Sequence, residues 1–133
     1  MFLDDWRDFS GPLDDTISQS LASKCINLSA LTVKKMDEAN DDTRLPLARL
    51  IATVLTQSTT LETVNFYHFS EYKDAGEGEV ILTALKNSPC LPQIKTFRCS
   101  WNLSWFSEGK ESNVELLTQA LRNMTAVETI NFL

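Results

Sequence analysis

Apolar residues return along this chain at a fixed interval. A three-point pattern, LxxLxL, occurs as Leu28/Leu31/Val33, Leu61/Val64/Phe66, Ile94/Phe97/Cys99 and Val127/Ile130/Phe132. Its first members are 33 residues apart each time. Within each set the last two members are separated by one residue, the alternation that puts both side chains on one face of a strand. Short strands are therefore predicted to start near residues 29, 62, 95 and 128. The interior is predicted to hold Leu31, Val33, Val64, Phe66, Phe97, Cys99, Ile130 and Phe132. The fullest copy is Leu91–Asn102, in which Leu91, Ile94, Phe97 and Cys99 are apolar and an asparagine follows the cysteine by three. Repetition of such a unit is the mark of a solenoid, whose units bury their apolar faces against one another.

Between the strand patterns the spacing becomes helical. Leu13, Ile17 and Leu21 follow Gly11-Pro12, and Leu47, Leu50, Ile51, Val54 and Leu55 follow Pro46, a residue suited to a first helical turn. Val80, Ile81, Leu82 and Leu85 come next, then Val114, Leu117 and Leu121. Ser112 and Glu115 have capping-box spacing, which predicts a helix start at Ser112. Leu85 stands nine residues before Ile94, whereas Leu55 and Leu121 stand six before Leu61 and Val127. The stretch Asn87-Ser88-Pro89-Cys90 is therefore expected to end its helix early and lengthen the connection. Strand-to-helix loops are predicted over residues 36–45, 70–78 and 103–112. They carry Asp37, Glu38, Asp41, Asp42, Glu71, Asp74, Glu77, Glu108 and Glu111, an acidic rim whose simplest role is solvation.

The stretch Leu91–Asn102 and its three echoes resemble leucine-rich repeats, and the helical segment in each unit is similar to the ribonuclease-inhibitor-like kind. The resemblance covers residues 13–133 and implies an α/β solenoid of about four repeats. Short parallel strands would line one, concave, face and helices the other. Residues 1–12 are read as an N-terminal segment or partial cap, with Phe2, Trp6 and Phe9 over the first layer. The period of 33 exceeds the roughly 20–29 residues usual for these repeats. Asn102 also has no counterpart, since Phe69 and Met36 occupy the equivalent positions.

The resemblance implies a non-catalytic scaffold that offers its concave strand face to another protein. Outward positions near the C-terminal edge of the strands bring Lys34 and Lys35, Tyr67 and His68, and Arg98 and Trp101 side by side, with Trp105 near. Aromatic and arginine side chains of this kind dominate binding energy at interfaces. The competing reading of Trp101 and Trp105 is that they fold back to plug an irregular loop. An alternative role is a structural subunit of a larger assembly whose open solenoid end is buried by a neighbour. A third reading, regulation of small GTPases, would need Arg98 or Asn65 presented to a nucleotide site, and no motif supports it.

The last strand pattern is followed by one residue and by no closing helix. The chain is therefore read either as a fragment of a longer array or as having an open end that another chain covers. Val127, Ile130 and Phe132 form the expected self-association edge of a homodimer through that end, and together with Leu117 and Leu121 they make an apolar layer expected to be partly exposed.

Composition removes other classes. The 133 residues and 43% hydrophobic content suit one domain, and a net charge of −6 opposes nucleic-acid or anionic-membrane binding. No run approaches the roughly 18 apolar residues of a membrane span, and the acidic Met1–Trp6 lacks the character of a signal peptide. Three cysteines, an odd number, fit reduced thiols in the cytoplasm. His68 is the single histidine, and Cys99 is predicted to point to the face opposite it. No G-x-S-x-G, phosphate loop, EF-hand or zinc pattern is present, so the chain is read as having no catalytic residues, cofactor or metal.

Overall fold

Each strand pattern forms a strand, one residue later than the spacing predicts. The computed structural model describes residues 2–3, 27–34, 41–67, 76–100, 106 and 109–132. Among these, β1 (Phe2–Leu3), β2 (Ala30–Lys34), β3 (Thr63–Tyr67), β4 (Thr96–Cys99) and β5 (Thr129–Phe132) form one parallel sheet in chain order. β1 is an addition to the four expected strands. It pairs with β2 through Phe2↔Thr32 and Leu3↔Val33, within the segment read as a partial cap.

Parallel neighbours need long crossovers. Those after β2, β3 and β4 carry α1 (Asp41–Gln57), α2 (Glu77–Lys86) and α3 (Glu111–Arg122). Adjacent helices pack together, α1 on α2 and α2 on α3. The architecture is α/β and repeat-like.

The period reaches the hydrogen bonds. Ser29 carbonyl accepts from the amides of Glu62 and Thr63 at 2.9 and 3.1 Å. Glu62 carbonyl accepts in the same way from Lys95 and Thr96, and Lys95 carbonyl from Glu128 and Thr129, at 2.8 and 3.1 Å in both cases. Each strand entrance is thus fastened to the equivalent point of the previous unit. Register follows: Leu31, Val64, Phe97 and Ile130 form one row, and Val33, Phe66, Cys99 and Phe132 another.

Both rows face the helices. Leu31, Val33, Val64, Phe66, Phe97 and Cys99 are fully buried and share one apolar cluster with residues from all three helices, including Leu50, Ile51, Leu55, Ile81, Leu82, Leu85 and Leu117. Ile130 and Phe132, expected both on the inner face and in a partly exposed end layer, are 46% and 42% exposed. Their direction follows the strand alternation, and among the described strands none lies beyond β5.

Two helix boundaries differ from expectation. α1 begins at Asp41, so Pro46 lies beyond its first turn and the preceding loop is shorter. α3 begins at Glu111 after Lys110, and no side-chain hydrogen bond caps it. Ser112 is already helical, so the Ser112/Glu115 capping box does not form there. The turn signal was glycine instead: Gly76 and Gly109 have φ of +103° and +85°, and they stand one and two residues before α2 and α3. Lacking a Cβ, glycine enters this left-handed region at little cost. Glu77 and Glu79 in α2, and Glu111 in α3, then occupy first turns, where the helix dipole favours negative charge. Glu77 is buried rather than part of a solvated rim.

The long connection after α2 is as expected. The helix stops at Lys86, and a 3-10 turn over Leu91–Gln93 precedes β4. Gln93 Nε2 donates to the carbonyls of Thr59 and Leu61 at 2.7 and 3.2 Å, and Cys90 Sγ donates to Ser58 carbonyl at 2.9 Å. The extra residues are tied to the preceding unit.

Candidate functional site

With the helices on one face of the sheet, alternation leaves the other face to polar side chains. Its rows are Ala30–Thr63–Thr96–Thr129 and Thr32–Asn65–Arg98–Asn131, with Tyr67 further along β3. The β-branched threonines suit the strand backbone and stack as neighbours along their row. Thr32, Thr63, Tyr67, Thr96 and Arg98 are half-buried, whereas Thr129 and Asn131 are exposed.

Asn65 sits at the centre and is only 7% exposed. Its Nδ2 donates to Thr32 Oγ1 at 3.0 Å. Its Oδ1 is buried without a hydrogen-bond partner. The Asn65 side chain is thereby positioned beside Arg98, its register partner on β4. At the strand entrances, Lys95 Nζ and Glu62 Oε1, the residues just before β4 and β3, form an exposed ion pair at 3.6 Å.

Of the residues expected to form the binding patch, Lys34, Tyr67 and Arg98 lie on three consecutive strands. Lys34 pairs directly with Tyr67, and Arg98 lies one strand on, beside Asn65. Lys35, His68, Trp101 and Trp105 lie outside the described residues. Asn65 belongs at the heart of the face, and its 33-residue spacing from Thr32 and Arg98 is the sequence signal that places it there.

A second surface lies at the β5 end. Val114 at 38%, Ile130 and Phe132 are the exposed large hydrophobics among the described residues. Val114, Leu117, Thr118, Leu121 and Phe132 line an open cleft of about 490 Å³. Within the expected edge, Ile130 and Phe132 are exposed, while Val127 is half-buried against the core. Leu117 is buried at 3% rather than partly exposed. Val114 was the missing member: its equivalents one and two periods back, Ile81 and Ala48, are fully buried.

The cysteine chemistry is quiet. Cys90 and Cys99 are free and buried. Burial pushes the Cys99 thiol up from 9.0 to about 12, keeping it protonated and a poor nucleophile. Among the described residues, no group of three or more histidine, cysteine, aspartate or glutamate residues is placed to hold a metal ion. No helix among them is long and apolar enough to cross a membrane. Comparison with protein-family models, curated proteins and solved structures found no match for this chain.

Proposed function

We propose that this chain is a leucine-rich-repeat-like solenoid of the ribonuclease-inhibitor-like kind, and that it works as a non-catalytic scaffold holding another protein against the helix-free face of its sheet. The observation that carries this reading is the row Thr32–Asn65–Arg98–Asn131, with Tyr67 beside it, on the face opposite the helices. A sheet face opposite the described helices, furnished with arginine, tyrosine and amide groups, has the composition of a protein interface. The protonated, buried Cys99 and the single histidine favour a binding role over nucleophilic catalysis. Buried free thiols at Cys90 and Cys99 fit a reducing, cytoplasmic setting.

The test is site-specific photo-crosslinking. A photoreactive residue replaces Thr96 on the sheet face or, as control, exposed Thr83 on α2. The expected result is a saturable protein adduct from position 96, lost when Arg98→Glu is added, and none from position 83. Adducts from position 83 alone, or adducts from position 96 that ignore Arg98→Glu, would contradict the proposal. A second reading, a structural subunit of a larger assembly, is favoured by the exposure of Val114, Ile130 and Phe132.

A further inference from the structure

The β5 end carries an incompletely buried layer on a strand with one neighbour. Ile130 aligns with Phe97, and Phe132 with Cys99, both fully buried, yet Ile130 and Phe132 are nearly half exposed. On the helix above, Val114 shows the same contrast with Ile81. Further in, each layer is covered by the next. Among the described strands β5 pairs with β4 alone, so the N–H and C=O of Ile130, between the β4-bonded positions, face away from the sheet. A suitable cover must therefore supply both a strand edge and an apolar helix face.

We propose that a second copy of this chain supplies both, through a two-fold axis normal to the sheet beside Ile130 and Asn131. Such an axis pairs β5 antiparallel with β5 of the second copy. It also keeps both copies of Ile130 and Phe132 on the helix-bearing side, because the rotation leaves the two faces of the sheet unexchanged. The same rotation sets α3 antiparallel to α3 of the second copy across the cleft of Leu117, Leu121 and Phe132.

The charges along α3 favour this arrangement. Exposed Glu111 and Glu115 lie in its N-terminal half, and exposed Arg122 closes its C-terminal end. An antiparallel mate brings the acidic half of each helix to the arginine of the other, and opposes the two helix dipoles favourably. A parallel, head-to-tail stack instead has to use the two-residue β1 edge as its other half. It would also propagate without closing, whereas a two-fold contact closes at two copies. This inference stands apart from the sheet-face reading, since it uses the strand edge and α3 rather than Arg98 or Tyr67.

The experiment is sedimentation and light scattering of the whole chain over a concentration series, with circular dichroism confirming that each variant is folded. Wild type is expected to move from monomer to a dimer plateau. Ile130→Lys is expected to abolish the dimer. Arg122→Glu, at an exposed position, should weaken it about tenfold, and combining it with Glu111→Arg and Glu115→Arg should restore it. A monomer at every concentration would overturn the proposal, as would growth beyond two copies. An Arg122→Glu variant that dimerises as wild type does, or that the charge reversal fails to rescue, would overturn it as well.

Discussion

Phe97 meets Phe66 edge to face, with ring centroids 6.3 Å apart and planes at 79°. One unit further on, the same ring meets Phe132 in the same way, at 6.4 Å and 72°. Three successive strands are therefore joined by one aromatic stack, in the edge-to-face geometry that ring quadrupoles prefer. Phe97 is fully buried with a ring on each side, whereas Phe132 is a partly exposed end member. Phe97→Ala is expected to cost about 3–5 kcal/mol in denaturant melts. Phe132→Ala should cost clearly less, since repeat stability sums nearest-neighbour interfaces. Equal losses would mean that the β5 end is covered.

The paired glycines give a second expectation. A Cβ at Gly76 or Gly109 meets nothing within 4 Å, so any penalty for alanine lies in the backbone, held at positive φ. Gly76→Ala and Gly109→Ala should each destabilise by about 1–2 kcal/mol, with Gly109→Asn milder because asparagine visits that region more readily. Thermal or chemical melts check both.

The 33-residue spacing makes the strand order, the parallel units and the six fully buried strand residues legible in the sequence. Alternation of apolar residues dictates which face a side chain takes, and tertiary packing obeys it. Whether a side chain that faces inward is also covered depends on a neighbouring layer, which is why Ile130 and Phe132 take the inner face and still lie partly open, as expected of the layer at that end, with Val114 open beside them. β1 escaped because two residues cannot display an alternation, and because one period before Leu28 falls outside the chain. The start of α3 was misplaced because Ser112 offered a familiar cap three residues beyond Gly109, whose positive φ sets the turn. In the candidate site, Tyr67 and Arg98 fall on neighbouring strands as their spacing implied. The centrality of Asn65 was missed because its burial comes from neighbours on both sides of its row rather than from its own residue type.

Asn65 and Thr32 supply a third expectation. Thr32→Val keeps the shape of the side chain but removes the acceptor of the 3.0 Å bond from Asn65 Nδ2. A buried amide would be left unsatisfied, at a cost of about 1–3 kcal/mol. In a double-mutant cycle with Asn65→Leu, the two changes should be strongly non-additive, as read from urea melts.

Cys99 should impose a pH dependence at the alkaline end. Burial raises its thiol from 9.0 to about 12, so the folded state favours the protonated form. Its contribution to stability is complete below pH 9, and it is lost as the pH climbs from there toward about 12. In that window, stability should fall by about 1.4 kcal/mol per pH unit from this group alone. Cys99→Ala lowers stability by a constant amount through its cavity but should remove this slope. The check is the difference between the two chains in melts from neutral to alkaline pH.

The stacking of equivalent 33-residue units is most directly tested by nuclear Overhauser contacts between backbone protons in isotopically labelled protein. Contacts should join Thr32 to Asn65, Asn65 to Arg98 and Arg98 to Asn131 in parallel register, with the rings of Phe66, Phe97 and Phe132 in one chain of contacts. Antiparallel cross-strand contacts, or Phe66 and Phe97 on opposite faces of the sheet, would contradict the repeat and the binding face derived from it.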